Sequence, residues 1–217
     1  MAFEKEKVLE ALKKIREGEK RKFSQSIELI INLKEINIKK DEGKIEEFIQ
    51  LPAGRGKDAK VCAFVGPELK DAAAKYCDAY VLSDDFDKQE KRAIRKLVQS
   101  TDFFIAQINV MPAVAKTFGR FLSTIGKMPS PKAGHVVPPK TNIEPLVKLL
   151  KKSVKVAIKK APVFQTLIGN ETMKDEELLQ NAMTIIERIK GKLPKGEHNI
   201  KNIMLKTTMG KPQKVVA

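Results

Sequence analysis

LPAGRGKDAKVCAFVG, residues 51–66, is where the chain changes character. Its first ten residues combine a proline, two glycines and charges, as a linker or crossing segment does. VCAFVG (61–66) is then continuously apolar. Such a short run, without polar alternation, suits a strand buried on both faces. The same pattern repeats downstream. ELKDAAAKY (68–76) reads as a helix, AYVLS (79–83) as a strand and DKQEKRAIRKLVQ (87–99) as a helix. DFFIAQ (102–107) is a third strand and PAVAKTFGRFLSTIG (112–126) a third helix. Strands alternating with helices predict βαβ units around a parallel sheet. A glycine- and proline-rich loop, GKMPSPKAGHVVPP, and a short helix, IEPLVKLLKK, close this stretch.

On either side the pattern is different. Residues 3–17 place Val8, Leu12 and Ile15 at helical spacing. In FSQSIELIINL (23–33), Ile27, Leu29, Ile31 and Leu33 alternate with Ser24, Ser26, Glu28, Ile30 and Asn32, the period of a half-buried strand. From residue 153 this style returns. SVKVAIK and VFQTLIG flank KKAP and read as a hairpin. Thr172 then opens a helix with Asp175, Glu176 and Glu177 in its first turn. Leu178, Ala182, Ile185, Ile186 and Ile189 form its buried stripe, and Gly191 and Pro194 end it. IKNIMLKTTMG (200–210) is a strand running into a glycine.

The expected fold is therefore α/β with two domains. Residues 1–58 and 152–217 form a discontinuous α+β two-layer domain from both termini, and 59–151 form an inserted three-layer Rossmann-like α/β domain. The start, MAFEKEKVLE, has no signal-peptide core, and no apolar run approaches the ~18 residues of a membrane helix. A cytoplasmic protein without membrane attachment is expected.

The 217 residues carry 42 Lys and Arg against 27 Asp and Glu, a net charge of +15. That field attracts polyanions. A lysine-rich thermophile surface would raise glutamate in step with lysine, which is not seen here. The excess is steepest over residues 152–217, with 13 basic groups against 6 acidic, so part of the binding face is expected there.

Other chemistry finds little support. Cys62, Cys77, His135 and His198 have no metal-ligand spacing, and a structural zinc needs about four converging ligands. The cysteines read as buried thiols. FVGPELK offers one glycine, Gly66, where a dinucleotide site has three. GRGK (54–57) lacks the rest of a phosphate loop and precedes a strand instead of following one. No nucleophile–base pair and no Gly-x-Ser-x-Gly elbow is present, so catalytic residues, metal and cofactor are all expected to be absent. A nucleotide-binding enzyme housed in the inserted domain is the alternative class, and a non-specific basic scaffold is a third.

RNA binding asks for cations, small polar groups and a surface that docks a ribose or base. KFSQSIE supplies Lys22, Phe23, Ser24, Ser26 and Glu28 at the start of a strand. KTTMGK supplies Lys206, Thr207, Thr208, Met209, Gly210 and Lys211 at the end of another. FSQSIELIINLK (23–34), LPAGRGK (51–57), GKMPSPKAG (126–134), IGNETM (168–173) and TTMG (207–210) occur in that order across the chain. Together they resemble the family of ribosomal protein one of the large subunit, in its archaeal form.

The resemblance implies a protein of the mobile stalk beside the tRNA exit site, with no enzymatic activity. It implies an rRNA site built from Phe23, Ser26 and Glu28, from Gly169 and Thr172, and from Thr207, Thr208, Met209 and Gly210. An accessory contact through Lys127 and Lys132 is also implied. Lys22 and Lys206 would position phosphates, and Glu28 would accept from a 2′-hydroxyl or an exocyclic amine. Implied partners are large-subunit rRNA, the ribosomal subunit itself, exit-site tRNA and the protein's own mRNA, with a free monomer in the cytoplasm. Asn170 and Glu171 stand where family members often carry a basic residue.

Overall fold

The computed structural model describes residues 5–18, 21–36, 45–139, 141–158 and 161–216. Residues 3 and 4 of the first expected helix lie outside the described residues. In chain order the elements begin with α1 (Lys5–Arg16), β1 (Ser26–Leu33) and β2 (Ile45–Gln50). The middle stretch holds β3 (Val61–Val65), α2 (Lys70–Tyr76), β4 (Ala79–Leu82), α3 (Lys91–Ser100) and β5 (Phe103–Gln107). It continues with α4 (Met111–Thr117), α5 (Gly119–Ile125), β6 (Val136–Val137) and α6 (Glu144–Lys151). The chain ends with β7 (Ser153–Ile158), β8 (Val163–Asn170), α7 (Asp175–Lys192), β9 (Ile200–Thr207) and β10 (Gln213–Val216). This is a mixed α/β fold. The chain divides into two compact units, one of Met1–Lys57 with Lys152–Ala217 and one of Asp58–Lys151.

In the first unit β10, β9, β1 and β8 form an antiparallel sheet in that order. The alternation in β1 sends Ile27, Leu29, Ile31 and Leu33 into the core, where they pack with Leu12, Ile185, Ile186, Ile203 and Leu205. Helices α1 and α7 pack together and supply the second layer.

SVKVAIK and VFQTLIG do not form the expected hairpin. β7 pairs with β2, in the register Ile45↔Ile158 to Gln50↔Ser153, while β8 pairs with β1. The reason is the excursion between β2 and β7. A chain that leaves a unit and returns to it does so at neighbouring points, so the outgoing and returning strands pair. The pairing continues one step further, with Leu51 N–H donating to Lys152 O at 3.0 Å.

The PAGRG segment is packed against this unit. Buried Asn181 accepts from Ala53 N–H (3.1 Å) and donates to Gly54 O and Ile168 O (both 2.8 Å). Gly56 has φ +76° and no room for a Cβ, which would lie 2.7 Å from Asn170 Cβ. Its glycines serve the turn and the packing.

In the second unit the sheet order is β4-β3-β5-β6, all parallel. β3 and β5 are buried along their whole length, which explains their unbroken apolar sequence. Helices α2 and α6 pack on one face and α3, α4 and α5 on the other. Phe64, Phe86, Phe104 and Phe118 form the centre of the second face. Phe64 stacks on Phe104 at 5.5 Å between ring centroids, and Phe86 meets Phe118 edge-on at 5.2 Å.

The third expected helix is broken into α4 and α5 at Phe118–Gly119. Helix α7 starts at Asp175 instead of Thr172, with Lys174 at its N-cap. β2, β6 and β10 were not expected from the sequence. β6 is two residues long, and β10 follows a glycine and a proline, so neither shows a readable period.

Candidate nucleic-acid interface

β1 and β9 are antiparallel neighbours, with Ile27 opposite Thr207, so the start of one and the end of the other lie together. Gly169, at the end of β8, is Ile27's partner on the other side. Three stretches distant in sequence thus converge at one end of the sheet: 22–28, 169–172 and 206–210.

Gln25 joins them. Odd-numbered residues of β1 face the core, and Gln25 continues that series with a polar side chain that is 2 % exposed. Its Nε2 donates to Glu171 Oε1 at 3.0 Å, and its backbone N–H donates to the other carboxylate oxygen at 3.0 Å. Its Oε1 accepts from Met209 N–H at 3.0 Å. The Glu171 N–H returns a bond to Gln25 O at 3.0 Å. Thr208 donates to Ser26 O twice, from its N–H at 3.0 Å and its hydroxyl at 3.2 Å. A buried donor or acceptor left unpaired costs about 1–3 kcal/mol, so this network specifies one arrangement of the three strand ends.

Arg16, in the last turn of α1, clamps the 171–175 turn from the other side. Its guanidinium donates to Glu171 O (2.8 Å), Met173 O (2.5 Å) and Asp175 Oδ1 (2.6 Å). The turn with Asn170 and Glu171 in place of a basic residue therefore receives its cation from α1. Ser24 reaches the same turn, its hydroxyl donating to Asn170 Oδ1 at 2.5 Å.

The network leaves the large side chains outside. Phe23 is 55 % exposed and Met209 62 %. Between them lie two adjoining grooves of about 560 and 410 Å³ that share Ile15, Gly18, Arg21 and Thr207. Arg16, Lys22, Phe23 and Thr172 line the first, and Lys14, Met209, Gly210 and Lys211 the second. Cations dominate the rims.

The other expected residues take distinct positions. Thr207 is buried and forms the groove floor. Gly210 is required by the tight 207–210 turn, because a Cβ there would lie 2.3 Å from Thr207 Oγ1. Gly169 is buried, and a Cβ would meet Leu178 Cδ2 at 2.5 Å and Met173 Sδ at 2.7 Å, so its role is packing beneath the turn. Glu28 sits one pleat further along the sheet, accepting from Gln165 Nε2 and lying 4.0 Å from Lys206 Nζ. Sequence reasoning missed Gln25, Arg16, Arg21 and Glu171. The available signal was parity, since a glutamine at a core-facing position needs partners.

The model of the ribosomal protein L1p/L10e family matches residues 12–211, from α1 through the turn at Gly210. The chain belongs to the ribosomal protein L1p/L10e family. It is 42 % identical over 212 residues to the large ribosomal subunit protein uL1 of Nanoarchaeum equitans, covering 96 % of this chain and 99 % of that protein. The uL1 proteins of Pyrococcus horikoshii and Thermococcus kodakarensis are 39 % and 38 % identical, over 97 % and 99 % of this chain and 95 % and 99 % of theirs.

The ribosomal protein L1p/L10e family is one of ribosomal proteins, not of enzymes. In open parallel sheets, ligands bind beyond the strand ends where the strand order reverses, here between β3 and β5. Gln107 stands at that crevice, at the end of β5. Its Oε1 accepts from Gly66 N–H at 2.8 Å, the amide a phosphate would use, and its Nε2 donates to Glu68 at 3.3 Å. Only one of the two expected buried thiols is fully so: Cys62 is buried and Cys77 half-buried. Burial pushes them up to about 12 and about 11, so both stay protonated at neutral pH.

Lys127 is also committed internally. Its ammonium donates to Val98 O (3.0 Å) and Thr101 O (2.5 Å) at the end of α3, and burial there pushes its pKa down. A phosphate contact by Lys127 in a ribosomal protein L1p/L10e member of this kind would require giving up both carbonyls. Lys132 lies in the single helical turn Pro131–Ala133, and its side chain is outside the described part of the structure.

Proposed function

We propose that the chain is a structural protein of the large ribosomal subunit that binds rRNA at the mobile stalk near the tRNA exit site. In this reading residues 1–58 and 152–217 are the RNA-binding domain, and 59–151 are an inserted domain with an accessory contact through Lys132. The observation that carries it is the pair of exposed docking side chains, Phe23 and Met209, beside basic grooves whose walls are held by Gln25.

Lys22, Arg21 and Lys211 engage phosphates, while Phe23 and Met209 pack on riboses or on bases of an irregular loop. Thr208 and the Met209–Gly210 backbone meet 2′-hydroxyls. Recognition follows shape, because the deep groove of A-form RNA excludes side chains. The same surface serves two further roles: assisting deacylated tRNA to leave the exit site, and repressing the protein's own mRNA through a mimic of the rRNA site. Repression requires rRNA to bind more tightly than mRNA, and equal affinities would remove that role. The protein acts in the cytoplasm on the ribosome and is a monomer when free.

The test is binding to the rRNA stalk fragment against an unrelated hairpin of equal length, at roughly 50 and 200 mM salt, with Thr208→Ala and Met209→Ala alongside. Tight stalk binding that survives the higher salt and is lost in the variants supports the assignment. Equal binding to both hairpins that collapses with salt, and ignores the variants, leaves only a basic surface.

A further inference from the structure

The second unit carries a groove that neither the rRNA site nor the crevice between β3 and β5 uses. It lies between α3 and α5 and has a volume of about 260 Å³. Val98, Phe121 and Ile125 supply its apolar lining, and Arg95 and Arg120 flank it. Ile125 is 51 % exposed, and the Arg95 guanidinium lies over the Phe121 ring, 5.7 Å from its centroid. Among the described residues neither guanidinium has a carboxylate partner.

Helix α3 is built against ordinary helix rules. Lys91 and Arg95, and Arg92 and Lys96, are like charges four residues apart, a spacing that destabilises a helix. Asp84, Asp85, Asp87 and Glu90 precede the helix and offset only its first turn, while Asp102, just beyond its end, accepts from Lys60 N–H and acts on Lys127. The half that borders the groove stays uncompensated. A sequence that accepts this repulsion beside two unpaired arginines has a polyanion to gain.

We infer that the α3–α5 groove is a second RNA-contact site, which takes a single-stranded sugar–phosphate segment. Arg95 and Arg120 hold successive phosphates, and a base or ribose rests on Phe121 and Ile125. Arginine forks match phosphate oxygens, and an aromatic beside an aliphatic side chain makes a sequence-tolerant platform. An acidic peptide would satisfy the same forks. The exposed apolar surface, however, is one isoleucine and part of a phenylalanine ring, far short of the roughly 800 Å² that each partner of a standard protein interface buries. This inference rests on the RNA-binding reading and moves the accessory contact from Lys127, which is occupied, to the neighbouring arginines.

The experiment uses the full chain with its first-unit grooves saturated by the rRNA stem-loop, and follows the Ile125 methyl group by NMR. The probes are a twelve-nucleotide oligouridylate and an Asp/Leu amphipathic peptide of equal length. The oligonucleotide is expected to shift the Ile125 signal, and Arg95→Ala/Arg120→Ala to weaken its binding about tenfold. The slope of log affinity against log salt should fall by about 1.4, two phosphates at about 0.7 each. An unmoved Ile125 signal, or one moved by the peptide alone, overturns the inference. Stem-loop affinity in the same samples reports on the first-unit site separately, so failure of either reading is recognised independently.

Discussion

Two glutamines, each 2 % exposed, stand at two strand-end clefts and do opposite things. Gln107 stands between the ends of β3 and β5 and takes for itself the Gly66 amide, which such a sheet would offer to a nucleotide. Gln25 lies beneath the ends of β1 and β9. It binds Glu171 on one side and Met209 N–H on the other, and so holds the walls apart while Phe23 and Met209 stay in solvent. Both side chains are satisfied, and burial alone does not separate them. The difference lies in what their hydrogen bonds leave exposed: Gln107 takes up the amide at its cleft and Gln25 frames one.

Breaking the open cleft should have the largest effect. Thr208→Ala combined with Met209→Ala is expected to lower stem-loop affinity about 100-fold, near 2.8 kcal/mol. The melting temperature should hardly change, because Thr208 and Met209 are exposed. Wild-type affinity in this variant would erase the contrast between the clefts. Gly169→Ala comes next, since its Cβ would overlap Leu178 and Met173. Overpacking of this kind costs about 1–3 kcal/mol, read in chemical denaturation, and affinity per folded molecule should hold.

Gln25→Ala should weaken RNA binding about tenfold and also destabilise the first unit, because Glu171 and the Met209 amide lose their partner. A variant that loses stability but binds normally would make Gln25 purely structural. Gln107→Ala, at the crevice between β3 and β5, should lower the melting temperature by a few degrees without altering RNA affinity. NAD and ATP are expected to add no thermal stability to the wild-type protein, and stabilisation by either would revive the nucleotide reading.

The smallest effect concerns the thiols of the second unit. Burial raises Cys62 and Cys77, so folding favours their protonated forms. That preference is complete below their ordinary value near 9 and is lost as pH climbs towards about 11 and 12. At about pH 8 iodoacetamide should label them slowly in the native protein and quickly in urea. Equal rates at Cys62, the one of the two that lies in the core, would mean that the second-unit core opens readily.

Much of the fold was legible because it rests on short-range periodicity. The alternation of Ile27, Leu29, Ile31 and Leu33 marks a sheet with one face buried, and VCAFV marks a strand buried on both. The change between the two styles at 51–60 marks the excursion. Phe23, Thr208, Met209 and Gly210 were legible through their motifs. Arg16 and Gln25 were not, because each works through partners far along the chain.

The sequence by itself determined the two styles of sheet, the basic excess and the family motifs, all of which depend on the order and spacing of nearby residues. Only the tertiary structure decided that β7 joins β2, that Lys127 caps α3 instead of facing solvent, and that one buried glutamine takes up the amide at its cleft while another frames one. Gln25 meets Glu171 across 146 positions and Met209 across 184. No local period encodes such pairings. They exist once hydrophobic burial has brought the strand ends together and each buried polar group has had to find a partner.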